Sequence, residues 1–477
     1  MKQLLLPKKI IKIENAKNEK ALFSKKPLQV VLRSDENWTK QITEINGKGS
    51  IVLDFGKEMH GGIRILTGAF TGKNFTSVRI RFGESLSEAY SDIGDKGATN
   101  DHSQRDFNAV LSAYGDVCFG QTGFRFVRID ILEEVTVRIQ NILCVNEILN
   151  KKVVYRYNGK DKLVKKIFDT AKRTVDLCAS TDYVWDGVKR DRLVWIGDMH
   201  PEMLALTTMY GRLDSVERSL EFVKNNTPDN LWMNGIASYS MWWMIIVADY
   251  YFMTGAKDFA LNQVDYFNML INRFNDSIDD AGNMNYSWFF VDWPTCDSPD
   301  MEAGVRAINI LALNKAIEMF DSLGVDSSTA KNVAIKFKLK PIIVKQMKQV
   351  IGLKYMALGE ITDDEYALLI KGGANGLSTF MSYYILTAIA SRDAQKAVEI
   401  MKEYYGAMLS IGATTFFEDF DMEWLKCGSR IDKLPKKGKK DIHGDYGKHC
   451  YVGFRHSLCH GWSSGVIKFI YDYKNKI

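Results

Sequence analysis

No run of apolar residues in this 477-residue chain reaches the length that crosses a bilayer. The stretch MWWMIIVADYYFM, Met241 to Met253, is broken at Asp249, well short of the roughly 20 residues a spanning helix needs. The opening MKQLLLPKKIIKIENAK offers three leucines before Pro7 and two lysines, which is too short for the apolar core of a secretion signal. Cysteine is sparse, seven in all, an odd number without a repeated spacing. That usage excludes a disulfide-built framework and reads as reduced thiols in a cytoplasmic protein. The net charge of +5 is small for the length and argues against nucleic acid or an anionic membrane as partner. No glycine-rich phosphate loop precedes a helix; GKGS at 47–50 lacks the spacing. His443, His449, Cys450, His456, Cys459 and His460 lie near one another with Cys427 upstream, yet the paired spacing of a zinc site is missing. Asp300 with Glu302 makes no calcium loop. The expectation is therefore no metal and no cofactor.

What is there belongs to a globular protein: 46% hydrophobic, 25% charged and 12% aromatic, with ten tryptophans. A chain this long exceeds one ordinary core and should divide in two. From about residue 28 to 150, VVLRS, SIVLDFG, GGIRILTGAF, SVRIRFGE, FRFVRIDIL and VTVRIQNIL show the alternation of strands between Gly, Asn and Asp turns. This predicts an antiparallel β-sandwich over 1–155. Within it, SEAYSDIGDKGATNDHSQRDF is a long polar loop, a kind of segment that often carries function. From about 160 apolar residues recur at spacings of three and four, giving roughly ten to twelve helices over 156–477. So many helices suit a ring of helix pairs better than a four-helix bundle. Residues 433–441 read as a solvated basic loop, and 283–300, NMNYSWFFVDWPTCDSPD, as an aromatic-rich loop lining a cleft.

The densest chemistry lies in DGVKRDRLVWIGD, Asp186 to Asp198, with three carboxylates, two arginines, a lysine and a tryptophan in thirteen residues. Unpaired charge is costly to bury, so such a mixture suits either a solvated turn or a cleft that holds and protonates a polar substrate. The segment resembles the acid-bearing motif of bacterial α-L-rhamnosidases, glycoside hydrolase family 78, at Asp186, Arg190, Trp195, Gly197 and Asp198. GATTFFEDFD, Gly412 to Asp421, and SLCHGWSSG, Ser457 to Gly465, are similar to two later motifs of that family. LDFGKEMHGGIRI, RIRFGESLSEA and GFRFVRIDIL look like the β-sandwich that precedes its barrel. Two positions depart from the family pattern: Asp191 stands where the family has its acid Glu, and Val194 where it has Gly. The chain also stops soon after SLCHGWSSG, so it looks like a compact member without the further C-terminal β-sandwich.

The resemblance implies an (α/α)6 barrel behind the sandwich and an inverting exo-glycosidase acting on α-L-rhamnosyl or related sugars. Inversion needs one acid to protonate the leaving oxygen and one carboxylate to activate water. By position these would be Asp191 and Glu418. Asp186 and Asp198 would bind sugar hydroxyls, Arg190 would orient an acid, and His460 would donate to a hydroxyl. Trp195 is a candidate stacking platform, and Asp292 with Trp293 is expected to line the sugar cleft. The implied partner is a small glycoside or oligosaccharide; no feature of the sequence fixes the oligomeric state. Two alternatives stay open: the same fold cleaving another sugar, suggested by Asp191, or a glycan-binding protein without turnover. The sandwich itself is expected to brace the barrel.

Overall fold

The computed structural model describes residues 2–24, 29–33, 35–180, 182–449 and 451–477. Among these, nine strands form one hydrogen-bonded antiparallel sheet. They are β1 (Lys2–Leu5), β2 (Lys9–Ile13), β3 (Ala16–Lys17), β4 (Thr43–Asn46), β5 (Ser50–Thr67), β6 (Phe75–Gly83), β7 (Asp106–Ser112), β8 (Asp116–Ile131) and β9 (Thr136–Glu147). The order is β3-β4-β9-β5-β8-β6-β7, with β1 added on β9 and β2 on β5. Alternation sets the faces: Val78, Ile80 and Phe82 of β6 are fully buried, while Arg79 and Arg81 between them pair with Asp106 and Asp130.

Two segments read separately in the sequence, SIVLDFG and GGIRILTGAF, join in β5, which bends between them. Its first half pairs with β2 and β8, its second with β9 and β8. The bend uses Gly61, whose φ is 144° and where a Cβ would lie 2.0 Å from the Val145 carbonyl oxygen. The sheet also starts earlier than the sequence pattern suggests. Strands β1 to β3 carry lysines and are half exposed, so their periodicity is weak. The stretch VVLRS is not a strand over residues 30–33, and its Ser34 lies outside the described residues.

Helices take over at Lys162–Cys178, where Asp161 accepts from the Leu163 and Val164 amides at 2.8 and 3.0 Å and caps the first turn. Among the described residues, six helices contact one another in succession: Met199–Tyr210, Ala237–Thr254, Met301–Leu323, Lys348–Leu358, Ser382–Ala390 and Val466–Asp472. The last contacts the first. Every residue of Met199–Tyr210 is buried, as is most of Ala237–Thr254, which befits helices walled on all sides. Asp214–Asn225, which alternates with them in the chain, buries one stripe, and Lys162–Cys178 does so over its first three turns before its last five residues are all buried.

Sheet and helices meet through specific polar contacts. Arg125 of β8 binds Asp54 through two bonds of 2.9 Å and the Gly412 carbonyl at 3.2 Å. The Glu58 amide donates to Thr414 Oγ1 at 2.9 Å, and the Leu86 amide to the Ile431 carbonyl at 2.9 Å.

Candidate active site

A cavity of about 300 Å³ is lined by residues of both the sheet region and the helical region. It gathers Asp186, Arg190, Asp191, Trp195, Asp198, Trp293, Glu418 and His460 from segments up to 274 residues apart (460 less 186). Backbone pairing joins the first and last of these: Gly187 bridges to His460, and the Gly461 amide donates to the Asp186 carbonyl at 2.7 Å.

Arg190 sits between two carboxylates. One terminal nitrogen donates to Asp191 Oδ1 at 2.7 Å, the other to Glu418 Oε1, and its Nε donates to the Arg455 carbonyl at 3.0 Å. The width of a guanidinium and two ordinary hydrogen bonds limit the engaged oxygens to about 8 Å apart. Glu418 is buried. Its Oε2 accepts from the Ser457 amide at 2.8 Å, and its own amide donates to the Ser457 carbonyl at 3.0 Å. Its carbonyl takes the Trp462 indole N–H at 3.0 Å.

Asp191 and Arg192 both have left-handed backbone, φ 56° and 55°. Consecutive non-glycine residues there cost about 1 kcal/mol or more each, and such strain clusters at functional sites. The turn presents a short side chain to the cleft, where Trp195 Nε1 donates to Asp191 Oδ2 at 3.2 Å. Trp195 is therefore a hydrogen-bond donor to Asp191 as well as a wall; its ring meets Tyr239 edge-on at 6.1 Å. The Asp191 amide donates to His102 Nδ1 at 3.0 Å. His102 belongs to the polar loop of the sheet region, so that region contributes to the cleft as well as bracing it.

The cleft floor is acidic. Burial, then the neighbouring Asp191 charge, pushes the Asp186 carboxyl well above the ordinary range. Asp198, at the N-terminus of Met199–Tyr210, is pushed up by burial and then by Asp186, Asp191 and Glu418. Both carboxyls are thus biased toward the protonated form, in which a carboxyl can donate as well as accept. Burial holds His460 down to about 4, so its ring is neutral there. His460 Nε2 lies 3.6, 3.9 and 3.8 Å from Asp186, Asp198 and Glu418, and its ring packs on Trp462 at 4.2 Å.

Asp292 is not among the lining residues. It caps the short turn Trp293–Thr295 by accepting from the Thr295 amide at 3.0 Å, and Ser378 Oγ donates to it at 3.3 Å. Burial raises its carboxyl to about 6. The unfolded chain releases that proton near 4, so the folded state binds more protons between about pH 4 and 6, and this stability is lost as pH rises through 6. Asp292→Asn should thus gain on wild type across that window, levelling at a gain of about 3 kcal/mol once pH exceeds about 6. Melting temperatures across pH check this; a constant offset would contradict it.

Asp186, Asp198 and His460 offer the ligand atoms of a candidate cation site, all within 4.8 Å. A second such group, Glu84, Glu88 and His443, already surrounds a cation: Lys189 Nζ lies 3.1, 3.2 and 3.4 Å from them. Of the clustered histidines and cysteines near the C-terminal end, Cys450 lies outside the described residues. His456 is turned to the Asp419 amide at 2.8 Å.

The sequence reading misses several lining residues: His102, Tyr239, Phe290, Tyr451, Arg455 and Trp462. Three of them lie in segments the sequence singles out: Trp462 in SLCHGWSSG, Phe290 in the aromatic-rich loop 283–300 and His102 in the long polar loop of the sheet region. A larger cavity of about 600 Å³ adjoins the first and shares Trp293 and Tyr451 with it.

The fold, an antiparallel sheet followed by many helices, is similar to that of solved α-L-rhamnosidase structures. In particular, the rhamnosidase from Klebsiella oxytoca with rhamnose bound aligns with a TM-score of 0.76 at 17% identity, over 99% of this chain and 96% of that one. The family 78 rhamnosidase of Bacillus sp. GL1 aligns at 0.70 and 18%, over 94% and 48%. The Streptomyces avermitilis α-L-rhamnosidase complexed with L-rhamnose aligns at 0.61 and 15%, over 88% and 42%. The chain thus spans nearly all of the first and about half of the other two. At these identities the likeness is one of fold. Compared by sequence, the chain matches no protein-family model and no curated protein.

Proposed function

We propose that this chain is an inverting exo-glycoside hydrolase acting on terminal α-L-rhamnosyl or closely related residues. The observation that carries the reading is the pair Asp191 and Glu418, held on either side of Arg190 in a cleft with an acidic floor. The fold likeness to rhamnosidases, two of them solved with rhamnose, gives the sugar class. The same reading divides the chain into a β-sandwich over 1–155 and an (α/α)6 barrel over 156–477. The closed succession of six helices, with other helices beside it in the chain, supports the barrel.

In this mechanism Asp191 takes up a proton from solvent before the reaction and delivers it to the glycosidic oxygen as the bond breaks. Glu418 takes a proton from the water that attacks the opposite face. A separation of about 6.5–9.5 Å leaves room for that water, and a guanidinium bridge is compatible with it. Asp186, Asp198 and neutral His460 hold the sugar hydroxyls, and Trp293 and Trp462 wall the apolar ring face. Arg190 supplies the positive charge that faces the Glu418 carboxylate and fixes its direction.

A panel of nitrophenyl glycosides tests the reading. Release from the α-L-rhamnoside above all others supports it. Release from another sugar keeps the mechanism and changes the substrate. Sugar binding by calorimetry with no release from any glycoside supports the glycan-binding alternative instead.

A further inference from the structure

The segment RFGESLSEA ends strand β6 and turns into the helix Leu86–Tyr90, and it sends two acids into the core behind the cleft. Glu84 and Glu88 have no solvent exposure, and both pair with Lys189, itself buried, at 3.1 and 3.2 Å. Lys189 immediately precedes Arg190, and its ammonium also donates to the carbonyls of Phe454 and His456 at 2.8 and 2.6 Å. Glu84 in turn accepts from Ser457 Oγ at 3.0 Å and from the Leu458 amide at 2.6 Å. Ser103, from the sheet region's polar loop, donates to the Lys189 carbonyl at 2.6 Å.

These bonds converge on two segments, 189–191 and 456–458. Between them lies the Glu418 carboxylate, gripped by Arg190 on Oε1 and by the Ser457 amide on Oε2. Desolvating three charges is costly, and a buried ion cluster adds little stability over an apolar core of the same shape. Its value is geometric. It fixes two loops whose regular pairing is otherwise limited to the bridge of Gly187 to His460.

We infer that Glu84 and Lys189 are positioning residues, which act through Arg190 and Ser457 to aim the Glu418 carboxylate. The sheet region is then part of the active site. This rests on the glycosidase reading for its kinetic consequence, though not for its geometry.

The test is a double-mutant cycle on the full chain with an aryl α-L-rhamnoside. Glu84→Gln should lower kcat about 30-fold while KM stays within about threefold, because aim matters to the reaction more than to binding. Because Glu84 acts through Glu418, Glu84→Gln with Glu418→Gln should be no slower than Glu418→Gln alone, within about threefold. A structural role would add its own loss to the double variant, and that additivity would overturn the inference, as would wild-type kcat in Glu84→Gln. If Glu84→Gln does not fold, Ser457→Ala removes one bond of the network; about a fivefold fall in kcat is expected, and none contradicts the proposal. If wild type cleaves no glycoside, the glycosidase reading fails and crystal structures decide the geometry. Displacement of the Glu418 carboxylate in Glu84→Gln supports the network, and an unmoved carboxylate overturns it.

Discussion

Glu418→Gln is expected to lower kcat by about a thousandfold or more on every substrate the protein cleaves, because no other described residue of the cleft floor is placed to accept the proton of water. Burial, then neighbouring carboxylate charge, pushes the Asp186 and Asp198 carboxyls up, and His460 Nε2 is turned toward the three carboxyl groups of the floor. The fold should survive, since Gln keeps an acceptor for the Ser457 amide. Asp191→Asn should behave differently. Its loss should be large on a natural disaccharide, whose leaving oxygen needs a proton, and small on a nitrophenyl glycoside, whose leaving group is already acidic. Steady-state kinetics of both variants on both substrates check the pair of roles. Equal losses on the two substrates in Asp191→Asn would contradict its role as acid.

Arg190→Met is expected to be nearly as severe, for another reason. Arg190 is the common partner of Asp191 and Glu418, and it is itself buried. Removing one member of a buried ion cluster costs about 3–5 kcal/mol, because the remaining charge is left without compensation. In the variant Glu418 would escape that cost by taking a proton, and a protonated base activates no water. Both melting temperature and kcat should therefore fall, with kcat down at least about a hundredfold at neutral pH and partly recovered at higher pH. Arg190→Lys should not rescue it, since one ammonium cannot span two carboxylates in the way a planar fork does. A thermal shift and a pH–rate profile measure both effects. Unchanged activity in Arg190→Met would remove the bridge from the mechanism.

How far the sequence reaches depends on locality. Asp186, Arg190, Trp195 and Asp198 are legible because they share thirteen residues, and helix periodicity does not dilute a dense polar motif in a loop. Glu418 and His460 are legible through their own motifs. The left-handed turn at Asp191 and Arg192 is not, because Asp in that conformation leaves no composition signal. His102 and Arg455 escape for a different reason. His102 is an ordinary polar residue in a loop and Arg455 one in the short 3-10 helix Gly453–Arg455, and the tertiary contact with the 190–191 turn brings each to the cleft. Asp292 shows the reverse case. An Asp before Trp-Pro among aromatic residues reads equally as a sugar ligand and as a turn cap, and the hydrogen bond from the Thr295 amide identifies the cap. In the fold, the strong alternation of β6 is readable, whereas the lysine-bearing strands β1 to β3 carry too weak a pattern to be found without their partners.

The most direct test is proton NMR of the first sugar released from an aryl α-L-rhamnoside. With Asp191 as acid and Glu418 activating water on the opposite face, the β anomer should appear first and only later equilibrate by mutarotation. Initial appearance of the α anomer would contradict the account, because it requires a covalent intermediate that the water-activating role of Glu418 excludes.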